Sequence, residues 1–351
     1  MGVFENVHFD NHEDIVFIND ADTGLHGIIA IHKTTLGPAV GGLRFWDYRC
    51  EQEALDDVLR LSKGMSYKNA MAKLPFGGGK AVILFNPLNS KSPELLHAIG
   101  RKIEQFKGRY VTGEDVGSTT EDMGQIKTVT DHVLGYSSAE GGSGNPSSST
   151  ALGCFVGIKA SVKHVFGTED LTGLRVAVQG VGNVGMNLCK LLSKAGADLI
   201  VSDINNSRSE ACHKRFGATV VQPIEILSVE TDVFSPCAMG AVINDEMLPS
   251  FKSRIVAGAA NNQLENESLG ESLHERGILY APDYVINAGG VIQFSFERAA
   301  FLEGEVFDSR LSDAKVMSIY DTLLSIYEKA VMEGISTQVA SDLMAQEILR
   351  Q

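Results

Sequence analysis

The run Gly180-Val181-Gly182-Asn183-Val184-Gly185 follows an apolar segment, Arg175–Gln179, and opens a stretch with helical spacing, Asn183–Lys194. Glycines at this spacing between a strand and a helix constrain the fold more than any other feature of the chain. Gly180 permits a tight turn, Gly182 lets backbone approach a pyrophosphate, and Gly185 allows the helix to pack closely on the strand. The turn through Val181, Asn183 and Val184 then presents free N–H groups at the positive end of a helix dipole, where phosphates bind. An acid, Asp203, ends the next strand, Leu199–Asp203. It is expected to accept hydrogen bonds from the adenosine ribose hydroxyls and to repel a 2′-phosphate, which favours NAD over NADP. Arg208 stands close enough in sequence to weaken that exclusion.

Short apolar runs continue the rhythm at Ala218–Val221, Val233–Ser235, Ile255–Ala257 and Ile278–Tyr280. Strands alternating with helices predict a doubly wound parallel sheet. The tail reads as helical. Val316, Ile319, Tyr320, Leu323, Leu324 and Tyr327 form one apolar stripe, and a second helix follows Thr337.

At 351 residues the chain exceeds one core and is expected to form two domains. A formal charge of −14 opposes binding to nucleic acid or an anionic membrane surface. No run approaches the length of a membrane span, and the N-terminus lacks a basic region and an apolar region, so a cytoplasmic location is expected. The five cysteines are widely spaced without a CxxC, and of the nine histidines only His8 and His12 have HxxxH spacing. No metal site is expected. The Gly- and Ser-rich stretch Gly135–Thr150 reads as a mobile connection between domains. The expected boundaries are a substrate-binding domain over 1–135, joined by a C-terminal helix at about 330–351, and a nucleotide domain over 145–329.

The N-terminal half mixes strands, Leu25–His32 and Ala81–Phe85, with an amphipathic helix carrying Leu55, Val58, Leu59, Ser62 and Met65 on one face. Ser92-Pro93-Glu94 is a helix start, and Ser118-Thr119-Thr120-Glu121 reads as a capping box. Phe76-Gly77-Gly78-Gly79-Lys80 precedes a strand. It is no phosphate-binding P-loop: Leu74 and Ala81 replace the required Gly and Ser/Thr, and a helix does not follow. Its glycines are read as a loop that crowds backbone onto a small ligand, and a lysine held among apolar neighbours becomes a usable base. Lys68 projects near the buried face of the amphipathic helix, where a cation needs an anion. Two acids, Glu114 and Asp115, lie between Gly113 and Gly117.

The segments TTLGPAVGGLR (Thr34–Arg44), GMSYKNA, GGGKAVI, GEDVG, VQGVGNVG, ANNQL and APDYVINAGG together resemble the amino acid dehydrogenases of the glutamate/leucine/phenylalanine/valine superfamily, nearest its leucine-oxidising members. The resemblance spans nearly the whole chain. It implies an α/β substrate and oligomerisation domain and a Rossmann-type NAD domain separated by a cleft, with a homo-oligomer, dimer or octamer. By position, Lys80 matches the catalytic lysine, Asp115 the proton-transferring acid, and Lys68 the partner of the substrate α-carboxylate. Asn262 and Asn287 match residues near the substrate amine and nicotinamide, Thr150 one near the nicotinamide amide, and Ala238 and Asn261 the walls of the cofactor groove. The implied reaction is reversible oxidative deamination of an L-amino acid to a 2-oxo acid and ammonia.

The same resemblance assigns Val40, Gly41, Gly113, Val291 and Phe294 to the side-chain pocket. All are small or apolar, and no lysine stands near Val40 to pair with a γ-carboxylate, so glutamate is disfavoured. Gly113 departs from the alanine of leucine-oxidising relatives and is expected to enlarge the pocket, whereas Phe294 fills space. Leucine and its branched relatives are favoured, with phenylalanine or tryptophan as the alternative within the family and a catalytically silent NAD-binding protein as the alternative of another class. The segment Ser295–Phe307 also departs from the family pattern.

Overall fold

A computed structural model describes residues 2–86, 89–238 and 240–351. The chain forms two compact units: the first holds the residues through Pro146 with Gln293–Ser309 and Ile348–Gln351, the second Ser147–Ile292 with Arg310–Glu347.

In the first unit the elements are β1 (Asp14–Asp20), β2 (Leu25–Lys33), β3 (Ala39–Val40), β4 (Leu43–Trp46), α1 (Glu51–Met71), β5 (Gly77–Leu84), α2 (Pro93–Glu104), β6 (Tyr110–Val111) and α3 (Thr120–Lys127). The strands make one mixed sheet in the order β1-β2-β5-β3-β6, with β4 also paired to β5. Alternation along β2 explains its unbroken apolar run. Ile29 and Ile31 join Leu96, Ile99 and Tyr110 in one core, whereas Ile28 and Ala30 join Val58 and Leu59 of α1 in another. Both faces are covered, so both faces are apolar.

The glycine run before Lys80 is not a loop. Gly77, Gly78 and Gly79 are strand residues of β5. The sequence reading took consecutive glycines as turn signals, but here they answer to packing. A Cβ on Gly78 would lie 2.1 Å from the Ser66 backbone nitrogen of α1, and one on Gly77 would lie 2.0 Å from the Lys33 carbonyl oxygen. Glycine lets α1 press directly onto the central strand. Lys80 and Val82 have the same parity as Gly78 and share the face that α1 covers.

Two smaller expectations shift. Ser92 caps α2 as read, accepting from the Leu95 N–H. The capping box of α3 pairs Thr119 with Asp122, one residue later than the expected Ser118 and Glu121. Thr119 takes the cap because Ser118 Oγ is engaged in its own turn, accepting from the Asp115 N–H.

The second unit carries α4 (Ser147–Phe166), β7 (Arg175–Gln179), α5 (Asn183–Lys194), β8 (Asp198–Ser202), α6 (Asn206–Phe216), β9 (Thr219–Val220), β10 (Val233–Pro236), β11 (Ile255–Val256), α7 (Ser268–Glu275), β12 (Leu279–Tyr280) and α8 (Asp283–Ile286). The sheet order is β12-β11-β10-β7-β8-β9, with every pair parallel. The order reverses between β7 and β10, and the glycine turn leaves β7 at that switch point. Four helices complete the chain: α9 (Gly289–Glu303), α10 (Ser309–Val316), α11 (Ile319–Glu333) and α12 (Thr337–Leu349).

The C-terminal helices differ from expectation. The stripe breaks after Val316, which ends α10, and α11 packs within the second unit, where Tyr327 Oη and Ser161 Oγ of α4 are 2.8 Å apart. Most of α12 belongs there too. Thr337 Oγ1 donates to the Tyr280 carbonyl, and the Tyr284 hydroxyl reaches Ser341 and Asp342. The segment added to the first unit is instead 293–309, from α9. The Gly/Ser stretch is likewise no loose connection before Pro146. Glu297 accepts from the Gly135 N–H and the Ser143 hydroxyl, and Gln293 Nε2 donates to Ser143 and Gly144. After Pro146 the stretch is already helix α4.

Among the described residues no helix is long and apolar enough to cross a membrane, and no group of His, Cys, Asp and Glu could hold a metal ion.

Candidate active site

In the first unit, Lys80 sits mid-strand in β5 and is 3% exposed. Its Nζ lies 3.0 Å from Asp115 Oδ1. Asp115 follows β6, in a turn closed by a reciprocal pair of hydrogen bonds with Ser118. Its other oxygen, Oδ2, accepts from Arg44 Nε at 2.9 Å. Arg44 in turn donates from Nη1 to Asp57 of α1 at 3.0 Å, and the Tyr48 hydroxyl donates to the same carboxylate oxygen. Gly42 makes the approach possible, since a Cβ there would lie 2.6 Å from Asp115 Cβ.

The electrostatics divide the labour. Burial acts to raise the Asp115 pKa, but the Lys80 and Arg44 cations outweigh it and hold the acid well below the usual carboxylate range. Burial lowers the Lys80 pKa; Asp115 opposes this and Arg44 reinforces it. Arg44, with its own pKa raised by Asp115 and Asp57 against burial, is a permanent cation. It can neutralise Asp115 whether or not Lys80 is charged. The arrangement is a buried amine beside a fixed carboxylate, able to take up and return protons.

Glu114 does not compete for this role. Its carboxylate accepts from Thr120 Oγ1 at 3.0 Å and Asn145 Nδ2 at 2.8 Å. Lys68 is half-buried in the last turn of α1, two residues beyond the Ser66 that rests on Gly78. Val40 is buried in β3, paired with Gly78 and Val111. A Cβ on Gly41 would meet the Gly79 carbonyl at 1.7 Å. Gly113 lies under the Phe294 ring. A Cβ there would be 2.8 Å from Cε2, and one on Gly135 would be 2.8 Å from Cε1. The expected enlargement at Gly113 is therefore absent: the Phe294 ring occupies the volume that the missing methyl leaves.

The second unit holds the glycine turn. Gly180 has φ +89, and a Cβ on it would meet Ala238 Cβ at 2.7 Å. A Cβ on Gly185 would lie 2.0 Å from the Gly180 carbonyl oxygen. At Gly182, by contrast, a Cβ would meet nothing closer than Arg208 Nη1 at 3.9 Å, so that glycine keeps space open in front of Asn183 and Val184. Gly182 is the N-cap of α5 and offers no side-chain cap. Asp203 accepts from the Val181 N–H at 2.9 Å and the Asn205 N–H at 2.8 Å. Asn287 Nδ2 donates to Asn261 Oδ1 and the Ala259 carbonyl, while Asn287 Oδ1 is buried without a partner. Thr150 of α4 lies against Gly289, two residues beyond Asn287. Asn262 adopts φ +50, a left-handed conformation that asparagine tolerates better than other residues with a Cβ. Val291, at the start of α9, is buried. An open glycine, an uncapped helix start and an orphaned buried amide oxygen fit a dinucleotide with a carboxamide head.

Sequence reasoning missed Arg44 and Asp57, which complete the charge network, and the clamp of Gln293 and Glu297. Polar residues at i, i+4 on the otherwise apolar start of α9 were the available signal for the clamp. Arg44 lay inside a quoted motif, but only the fold shows what it touches.

A parallel sheet with a dinucleotide turn at its switch point, in a chain whose other unit holds a buried lysine paired with a carboxylate, defines a pyridine-nucleotide oxidoreductase. Residues 12–132 match the family model of the Glu/Leu/Phe/Val dehydrogenase dimerisation domain, and 141–207 with 201–348 match that of glutamate/leucine/phenylalanine/valine dehydrogenase. The chain belongs to this family of amino acid dehydrogenases, oxidoreductases acting on CH–NH2 donors. It is 49% identical over 345 residues to leucine dehydrogenase of Bacillus cereus, covering 98% of this chain and 93% of the relative. It is 46% identical over 344 residues to phenylalanine dehydrogenase of Bacillus thermotolerans, covering 97% and 88%. The crystal structure of L-tryptophan dehydrogenase from Nostoc punctiforme superposes with TM-score 0.80 at 43% identity, covering 97% and 96% of the two chains.

Proposed function

We propose that this protein is an NAD-dependent dehydrogenase that reversibly deaminates a hydrophobic L-amino acid, leucine and branched relatives first, to the 2-oxo acid and ammonia. The observation that carries the reading is Lys80 Nζ, buried 3.0 Å from Asp115, with Arg44 holding the other carboxylate oxygen. NAD bound at the glycine turn would supply the hydride acceptor. Asp203 would hold the adenosine ribose, Ala238 and Asn261 would wall the groove, and Thr150 and Asn287 would meet the carboxamide.

Lys68 pairs with the substrate α-carboxylate and orients Cα. Lys80, as the neutral amine, takes a proton from water as that water adds to the imine carbon left after hydride loss. Asp115 relays protons so that ammonia can depart. Asn262 accepts from the substrate amine. Val40, Gly41, Gly113, Val291 and Phe294 surround the side chain. Phe294 in the space beside Gly113 supports an aliphatic substrate, and the lack of a lysine at the sequence position of Val40 disfavours glutamate, whose buried carboxylate would cost several kcal/mol. Aromatic substrates are the second reading, supported by the phenylalanine and tryptophan dehydrogenases among the relatives. The match of the first unit to a dimerisation domain supports a homo-oligomer. Free thiols at all five cysteines suit the reducing cytoplasm.

The test is a panel of L-amino acids with NAD, and 2-oxo acids with NADH and ammonia in reverse, followed by the absorbance of NADH. Highest kcat/KM with leucine, isoleucine or valine supports the first reading. Highest values with phenylalanine or tryptophan support the second. No turnover with any amino acid contradicts both.

A further inference from the structure

Within the first unit, α9 grips residue 135 with two side chains from one face of the helix, at i and i+3. The Phe294 ring is wedged between two glycines, with Cε2 toward Gly113 and Cε1 toward Gly135. Three residues on, Glu297 is 1% exposed, and both of its carboxylate oxygens accept from the Gly135 N–H at 3.0 Å. The Ser143 hydroxyl donates to the same carboxylate, and Gln293, one turn earlier, donates to the Ser143 and Gly144 carbonyls. Among the described residues no cation pairs with Glu297; Lys127, which acts on it from a distance, pairs with Asp131.

The two glycines are brought together by the sheet. Thr112 and Val133 form a parallel bridge beyond β6, and the Leu134 N–H donates to the Thr112 carbonyl. Gly135 follows with φ +77, where the chain turns and its N–H passes to Glu297. A buried carboxylate without a counter-ion is costly unless hydrogen-bond donors surround it. Here the donors come from the 135–143 segment, so the carboxylate and the segment hold each other in place. We propose that Glu297 is a specificity-positioning residue: by holding Gly135 it keeps the Phe294 ring against Gly113 and the side-chain pocket narrow, favouring aliphatic over aromatic substrates, a role that rests on the reading of Phe294 as a pocket wall. Without the carboxylate, residue 135 can move away and the ring can follow, which opens the space beside Gly113.

The test is the ratio of kcat/KM for phenylalanine to that for leucine, measured in the full chain with folding checked by thermal melting. In Glu297→Ala the ratio should rise about tenfold, the discrimination carried by about one methylene of pocket space. Glu297→Gln keeps an acceptor for the Gly135 N–H, and the Ser143 hydroxyl can turn to accept from its amide, so its ratio should stay close to that of the wild type. Added to Phe294→Val, Glu297→Ala should not move the ratio further, because no ring remains to be positioned. An unchanged ratio in Glu297→Ala would overturn the proposal, as would an equal shift in Glu297→Gln or the full shift persisting in the Phe294→Val background. Should Glu297→Ala fail to fold, Ser143→Ala decides: it removes one donor, its ratio should move the same way by less, and an unmoved ratio would overturn the proposal. These failures leave the amino acid dehydrogenase reading intact, whereas a wild type inactive on every amino acid would sink that reading and this role with it.

Discussion

The candidate residues of the two units are of different kinds. In the second unit they are mostly backbone: three glycines, the uncapped start of α5 and an acid that engages the N–H groups of Val181 and Asn205, nearly all within residues 179–205. In the first unit they are side-chain charges brought from positions 44, 57, 80 and 115, Lys80 buried and the others half-buried, and paired with one another. A backbone site tolerates changes in side chains but not in glycines. A buried charge network is sensitive at every member, because removing one ion leaves its partners uncompensated.

The largest expected effect follows from that contrast. Lys80→Ala should lower kcat by about a hundred- to ten-thousand-fold, the range for losing a general base, while NADH binding, read by fluorescence, persists in the other unit. Asp115 keeps Arg44 as counter-ion in this variant, so the fold should survive. Equal turnover in the variant and the wild type would remove Lys80 from the mechanism.

Next comes Arg44→Met, which strips Asp115 and Asp57 of their shared cation. Urea unfolding should show a loss of about 3–5 kcal/mol, as for breaking a buried ion pair. The same variant sharpens the account of Lys80. Arg44 helps to lower the lysine pKa, so without it the pKa rises, and the ascending limb of kcat/KM against pH should move to higher pH. A limb that moves to lower pH would reverse the assigned electrostatics.

Packing around Phe294 gives the third effect. Gly113→Ala should cost about 1–3 kcal/mol, because the new methyl overpacks the ring. Phe294→Val in the same chain should relieve most of it, a coupling that a double-mutant cycle on stability and on kcat/KM for leucine would measure. Additive losses would show that the ring does not fill the space beside position 113.

Asp203→Ala is the gentlest. The preference for NAD over NADP should erode by about tenfold, read as a ratio of kcat/KM values. An unchanged ratio would show that the acid does not meet the ribose.

The same contrast explains what the sequence disclosed. The turn from Gly180 to Asp203 was legible because its physics is local: strand, glycine spacing and acid are contiguous, and β7 and α5 have the bounds that their pattern suggests. In the first unit the strands, α1 and the start of α2 were legible too, but that its charged residues converge was legible only through family resemblance. Lys80 and Asp115 were named, but their pairing depends on β5 and the turn after β6 meeting across the sheet. Glycines 77 to 79 misled for the same reason. Nothing in the sequence says that a helix will rest on them. The helix after Thr337 was placed correctly in sequence but allotted to the first unit, whereas most of it belongs to the second, since an apolar stripe shows that a helix is buried and not against what.

The central claim is that burial and Arg44 lower the pKa of the Lys80 amine even with Asp115 beside it. An NMR titration of lysine Nζ resonances, with Lys80→Arg to identify the signal, tests it most directly. The account predicts a midpoint below the ordinary lysine value of 10.5. A midpoint at or above that value would contradict it.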